Sequence, residues 1–261
     1  MQDPQFNFAC SGCSQPLGFG ISMAFQPIVD IEDGEVFAYE ALVRGENGEP
    51  AGQVLAQVSD ENRFAFDQLC RVRAVETAAA LGMRTKLSIN FMPNAVYEPS
   101  RCLKTTLEAA ERTKFPVERI IFEATEQDRI RDTERLKCIL EEYKHQGFLT
   151  AIDDFGAGYA GLDLLAAFQP DIVKLDMNLI RGIDRDRARG TIVRGIVGMA
   201  HQLGIRIVAE GIETAEEMLA LHEFGITLMQ GYLFARPQIG ALSVPQIPQI
   251  ATAQRASSSD R

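Results

Sequence analysis

The feature that most constrains this chain is a rhythm: short runs rich in Val, Ile and Phe alternate with longer amphipathic segments through most of its length. That rhythm belongs to repeated β-α units, in which a strand covered on both faces is apolar while its covering helix is apolar along one side only. Strands are expected at Met23 to Val29, Val36 to Val43, Lys86 to Phe91, Arg119 to Ala124, Leu149 to Asp153, Ile172 to Leu175, Arg206 to Ala209 and Leu228 to Phe234. Eight strands in 261 residues suit one α/β barrel better than two ordinary domains.

Between the strands, Leu136, Ile139, Leu140 and Tyr143 recur at helical spacing and stop at Gly147, while Ile192, Ile196, Met199 and Leu203 repeat the pattern before Gly204. Thr214 followed by Glu217 has the spacing of a capping box, so a further helix is expected there. Only Asp30 to Glu35 separate the first two strands, and Asp33-Gly34 signals a hairpin, so these strands should pair antiparallel. The expected fold is a TIM-like (β/α)8 barrel with one antiparallel strand near the N-terminus. The barrel domain should span residues 21–242, after an irregular extension (1–20) and before a mobile tail (243–261) rich in Pro, Gln and Ser.

No apolar run reaches the roughly 18 residues of a membrane helix, and Met1-Gln2-Asp3-Pro4 lacks a basic leader, so a cytoplasmic protein without a membrane partner is expected. Five cysteines, an odd number, do not form a disulfide framework. Cys10 and Cys13 make a C-x-x-C with no second pair at zinc-finger spacing, and Cys70, Cys102 and Cys138 read as small apolar fillers on helices. A net charge of -10 argues against DNA or RNA polymers as partners, since phosphate backbones are held by clustered Lys and Arg. An anionic ligand would need local cations.

The chemistry is carried by polar residues that interrupt the strands: Glu40 in AYEALVR, Asn90 in LSINF, Glu123 in IIFEATE, Asp153 and Asp154 in LTAIDDFG, Lys174 in DIVKLD, Glu210 in IVAEG and Gln230 in LMQGYLF. Singly, each is as readily a loop ion pair, a helix cap or a satisfied core amide. Jointly, they fall about one per β-α unit and converge on the carboxyl ends of the strands, where barrel enzymes place their active sites. Five carboxylates and one lysine sum to -4, a charge that two divalent cations would balance. All-oxygen ligands favour Mg²⁺, Mn²⁺ or Ca²⁺ over zinc. Adjacent Asp153 and Asp154 are followed by the turn Phe155-Gly156-Ala157-Gly158, which lets both carboxylates leave the strand end, and one of them could bridge a metal pair about 3.5 to 4 Å apart that clamps the oxygens of an in-line displacement.

These segments resemble the EAL domain family of bacterial cyclic di-GMP phosphodiesterases, whose naming tripeptide stands here as Glu40-Ala41-Leu42. Gln26-Pro27-Ile28, Tyr39 to Arg44, Ser88-Ile89-Asn90, Phe122 to Glu126, Asp153 to Gly158, Lys174 to Asp176, Ala209 to Glu213 and Gln230 to Pro237 follow family motifs in order. The resemblance implies a barrel with one antiparallel strand that hydrolyses cyclic di-GMP to linear pGpG. It implies two Mg²⁺ or Mn²⁺ ions, with Ca²⁺ an inhibitory substitute, held by Glu40, Asn90, Glu123, Asp153, Asp154 and Glu210. It makes Lys174 the residue that orients or deprotonates the attacking water, and Arg44, Gln26 and Gln230 contacts for substrate. Glu126 and Glu213 become holders of the metal loops, though each could equally be an ordinary loop anchor. It also implies a homodimer through the helices beside the Asp153 loop. Ala157, Ala160 and Gly161 depart from the family pattern by offering fewer hydroxyls, and Gly45 stands where an aromatic often follows the arginine.

Two alternatives use the same residues. One is a catalytically silent cyclic di-GMP receptor that controls a partner, which the full set of ligand positions and the lysine disfavour. The other is a barrel acting on an unrelated sugar phosphate, which the antiparallel first pair disfavours. The regulatory input would be a separate sensory partner, the cysteine segment, or a domain outside this sequence.

Overall fold

The strands close on themselves. β1 (Ile21–Asp30), β2 (Glu35–Gly45), β3 (Lys86–Asn90), β4 (Ile120–Thr125), β5 (Leu149–Phe155), β6 (Ile172–Leu175), β7 (Arg206–Ala209) and β8 (Leu228–Met229) run in the order β2-β3-β4-β5-β6-β7-β8-β1, and β1 returns to β2. This is a computed structural model, and it describes residues 17–125, 133–157 and 161–248. β1 is antiparallel to both neighbours, while β2 through β8 pair in parallel. The hairpin between β1 and β2 turns at Gly34, whose φ of +70° is open to glycine and whose N–H reaches the Asp30 carbonyl at 2.9 Å.

Helices α1 (Ala51–Leu55), α2 (Arg63–Ala80), α3 (Pro99–Thr113), α4 (Thr133–His145), α5 (Gly161–Ala167), α6 (Met177–Ile180), α7 (Arg187–Leu203) and α8 (Ala215–Glu223) fill the connections. Leu136, Ile139, Leu140 and Tyr143 form the buried face of α4, and Thr214 and Glu217 close the capping box of α8. No described helix is long and apolar enough to cross a membrane.

The barrel interior is built in two storeys. Ile28, Ala38, Ile121, Ala151, Ile172, Val208 and Leu228 fill its base as one apolar cluster. Two residues further toward the mouth, on the same strands or directly after their ends, stand Gln26, Glu40, Glu123, Asp153, Lys174, Glu210 and Gln230. Side chains repeat their facing every second residue along a strand, so the same geometry that seals the base aims the polar residues inward one layer above. Purely apolar strands would have made both storeys core.

Several expectations need correction. β8 ends at Met229 rather than continuing to Phe234, because the Gln230 N–H bonds the Ala209 carbonyl (2.8 Å) and its carbonyl takes the Ile212 N–H (3.1 Å), turning the chain over the loop after β7. An additional strand, β9 (Gln238–Ile239), pairs with the outside of β1. On α7, Ile192 and Leu203 are 52% and 41% exposed, and the inward line is Gly190, Val193 and Ala200. That face packs closely because it is small: a Cβ on Gly190 would lie 3.4 Å from the Phe224 ring. Ser243, expected to begin a mobile tail, is buried, and its hydroxyl donates to the carbonyls of Phe25 (3.2 Å) and Arg236 (2.8 Å). Cys102 is a buried filler as expected, whereas Cys138 is exposed. Cys10 and Cys13 lie outside the described residues, as does the tail beyond residue 248.

Candidate active site

Lys174 stands at the centre of the polar storey, fully buried on β6. Its Nζ lies 2.6 Å from Glu210 Oε1, 2.9 Å from Glu123 Oε2, 3.3 Å from Asp153 Oδ1 and 3.5 Å from Glu40 Oε2. Burial alone would favour the neutral amine, but the carboxylates of Asp153, Glu123, Glu210 and Glu40 outweigh it and hold the ammonium well above the usual lysine range. The acids respond in the opposite sense. Burial, reinforced by the neighbouring carboxylates, pushes Glu123 up to about 8 and Glu210 well above the carboxylate range. One lysine therefore does not neutralise the cluster.

The remaining polar atoms are tied to the acids. Glu40 takes a hydrogen bond from Asn90 Nδ2 on Oε1 (2.8 Å) and one from Gln230 Nε2 on Oε2 (2.8 Å). Gln230 also reaches Gln26 Oε1 at 3.2 Å, and Gln26 in turn donates to the Ala235 carbonyl at 3.1 Å. The buried Ser88 hydroxyl donates to Glu123 Oε1. Asn90 spends its donor on Glu40, which leaves Oδ1 as an available ligand.

Adjacent residues on a regular strand face opposite ways, yet Asp153 and Asp154 both reach the mouth. The ladder between β5 and β6 shifts register between Ile152 and Phe155, and Asp154 adopts a left-handed φ of +54°. A non-glycine residue in that conformation costs on the order of 1–3 kcal/mol and is characteristic of functional sites. Here it turns the second carboxylate back toward the first, with the Asp154 N–H bonded to Asp153 Oδ1 at 2.8 Å. Half-burial, then Asp153 and Asp176, raise Asp154 to about 6.

Two sets of three carboxylates result, Glu40, Glu123 and Asp153 on one side and Asp153, Asp154 and Glu210 on the other, each with one oxygen per residue within 4.8 Å of the others. Asp153 belongs to both. Two oxygen-only sets sharing one carboxylate suit a pair of hard divalent cations.

These residues open into a cleft of about 260 Å³ lined by Gln26, Glu40, Asp153, Asp154, Glu210 and Gln230, together with Asp176, Met177, Glu213 and Tyr232. Glu213 pairs with Arg181 (2.7 Å) at the exposed rim, and that guanidinium holds its carboxyl below the usual range. Arg44 lies outside this cleft, its guanidinium donating to the Val43 carbonyl at 2.7 Å. Glu126 falls outside the described residues. Sequence reasoning included Ser88, Asp176 and Tyr232 in motif segments but gave them no role in the site. Ser88 had the signal of a polar residue two before Asn90 on a buried strand, and Asp176 that of an acid two after Lys174. Tyr232 carried none, because the chain leaves its strand before reaching it.

The comparisons agree with this geometry. The family model of the EAL domain matches residues 18–237. A standalone versatile EAL protein from Vibrio cholerae O395, solved in a c-di-GMP bound form, is 52% identical and superimposes with a TM-score of 0.86, covering 88% of this chain and 98% of that one. The manganese/cy-diGMP complex of Klebsiella pneumoniae BlrP1 is 33% identical with a TM-score of 0.82, over 88% of this chain and 60% of that one. The cyclic di-GMP phosphodiesterase PA2567 of Pseudomonas aeruginosa is 30% identical over 236 residues, 87% of this chain and 40% of its own. The chain spans about half the length, or less, of the curated relatives it matches. With the motif order, the single reversed strand and the model match all in accord, the chain belongs to the EAL domain family.

Proposed function

We propose that the chain is a metal-dependent phosphodiesterase that hydrolyses cyclic di-GMP to linear pGpG. The observation that carries this reading is the pair of carboxylate sets sharing Asp153, with Lys174 between them at the mouth of the barrel. The naming of relatives as cyclic di-GMP phosphodiesterases, and the c-di-GMP complexes of similar structures, support the substrate.

Two Mg²⁺ or Mn²⁺ ions, when bound, supply the charge that balances the acids and the Lewis acidity that activates water. Glu40, Asn90, Glu123 and Asp153 would hold one, and Asp153, Asp154 and Glu210 the other. In the reaction, a water oxygen adds to phosphorus, the P–O3′ bond breaks in line, and the 3′ oxygen leaves with a proton. Lys174, whose Nζ lies between the two carboxylate sets, would orient or deprotonate the attacking water. Gln230 holds Glu40 and donates to Gln26, and both glutamines border the cleft as substrate contacts, while Arg44, near the end of β2, supplies the guanidinium for a phosphate. Glu213, paired with Arg181, holds the loop after β7. Leu162 on α5, 64% exposed beside the Asp153 loop, fits the homodimer surface.

Incubation of the purified protein with cyclic di-GMP, with and without chelator, followed by chromatography tests the reading. Linear pGpG formed only without chelator is the expected result. Saturable binding with no linear product in Mg²⁺ or Mn²⁺ would instead make the protein a receptor.

A further inference from the structure

Behind the barrel wall lies a charged pair that the catalytic reading does not use. Asp67 and Arg71 stand one turn apart on α2 and are buried, 2% and 0% exposed. Asp67 Oδ2 lies 2.6 Å from Arg71 Nη2, and its other oxygen, Oδ1, accepts the Met92 N–H at 2.9 Å. Arg71 Nη1 donates to the Tyr143 hydroxyl of α4 at 2.8 Å. The guanidinium carbon sits 5.4, 5.1 and 5.6 Å from the ring centroids of Phe91, Phe122 and Tyr143.

The sequence positions of these contacts matter. Phe91 and Met92 directly follow Asn90, and Phe122 directly precedes Glu123. Neighbouring side chains on a strand point to opposite faces, so fixing Phe91 and Phe122 on the outside fixes Asn90 and Glu123 on the inside. The Phe91 N–H also bonds the Glu123 carbonyl at 3.0 Å, which locks the two strand ends together. A buried ion pair contributes little net stability compared with apolar residues of similar volume, whereas its directional contacts define one geometry.

We propose that Asp67 and Arg71 are positioning residues that set Asn90 and Glu123 for metal binding from outside the barrel, an inference that rests on the metal-dependent reading above. Groups bonded directly to metal ligands typically change metal affinity by about 10- to 100-fold when removed, so a pair that acts through the residues next to the ligands belongs at the lower end of that range. Burial raises the Asp67 carboxyl above its usual range, opposed by Arg71 and the Met92 N–H. Without Arg71 the Asp67 carboxylate loses its counter-charge and the Phe91, Phe122 and Tyr143 rings lose the guanidinium they pack on, so the geometry around the loop after Asn90 is no longer held.

The test is direct Mn²⁺ binding without substrate, followed by the electron paramagnetic resonance signal of the free ion, for the wild type, Arg71→Met and Asp67→Asn. Leu221→Ala, in the core of α8, serves as a destabilised control whose melting temperature is compared with the others. Each positioning variant should bind Mn²⁺ roughly 10-fold more weakly and recover turnover as Mn²⁺ is raised, while Leu221→Ala keeps wild-type affinity. Should Arg71→Met fail to fold, Asp67→Asn, which preserves shape but removes the charge that holds Arg71 in place, decides the matter. Wild-type affinity in either folded variant, or an equal loss in Leu221→Ala, overturns the positioning role alone. Absence of Mn²⁺ binding by the wild type overturns the metal site and this inference with it.

Discussion

Replacing Lys174 by Met removes an ammonium that touches four carboxylates, at 2.6, 2.9, 3.3 and 3.5 Å, while keeping most of the side-chain volume. At an effective dielectric of about 20, each such contact is worth on the order of 5 kcal/mol before desolvation and acid–acid repulsion are subtracted. Most of that gross attraction is offset, and removing one partner of a buried charged set typically costs about 3–5 kcal/mol. A domain of this size shifts by about 2–4 °C per kcal/mol, so Lys174→Met should melt roughly 6–20 °C below the wild type in chelator at pH 8. Saturating Mn²⁺ should return more than half of the loss, because dications can take over the charge that the ammonium supplied. Turnover should stay absent in Mn²⁺ while cyclic di-GMP still binds, since the water-orienting donor is gone. Calorimetry with chelator and with Mn²⁺, beside a product assay, measures all three. A variant that melts within about 2 °C of the wild type in chelator at pH 8 refutes the charge argument, as that is the shift of a kcal/mol or less.

Asp153→Asn removes charge from both carboxylate sets at once and should abolish turnover; a product assay that finds activity retained sinks the bridging role. In chelator, the folded carboxyls of Glu123, about 8, and Asp154, about 6, lie above their unfolded values. The folded state then holds more protons than the unfolded one, so stability should fall as pH rises from about 5 to 8, and a melting temperature that climbs over this range contradicts the assignment. Gly231→Ala would place a Cβ 2.0 Å from the Ile212 carbonyl oxygen and 2.4 Å from its nitrogen. Forced repacking of this kind costs about 1–3 kcal/mol and should weaken cyclic di-GMP binding by displacing Gln230 and Tyr232; thermal melts and binding titrations that match the wild type would contradict the close approach.

Much of the barrel was legible because its strands obey a single rule. Ala38 and Glu40, Ile121 and Glu123, Ala151 and Asp153, Ile172 and Lys174, and Val208 and Glu210 each place an apolar residue and then a polar one two steps later on the same inward face. A reader who knows only that strands repeat every second residue recovers both storeys. What escaped that rule escaped for physical reasons. The inward face of α7 is marked by Gly190 and Ala200, residues whose contribution is closeness rather than size, so a search for bulky apolar residues selected Ile192 and Leu203, which are exposed. The end of β8 is set by where the Gln230 backbone finds partners, in Ala209 and Ile212, and hydrophobicity carries no trace of that choice.

The aspartate pair shows the limit most sharply. Strict alternation would send Asp153 inward and Asp154 outward, and on that ground the two should not share a site at all. The sequence hint was the glycine-bearing turn that follows, which signals irregular backbone without saying where the ladder breaks. The break comes one residue earlier, at Asp154 itself, in a left-handed conformation that most residues avoid. Asp is among the few non-glycine residues that tolerate it, and here the strain is repaid locally by the hydrogen bond from its own N–H to Asp153 Oδ1 at 2.8 Å. The same residue type that supplies the carboxylate thus also permits the backbone to deliver it.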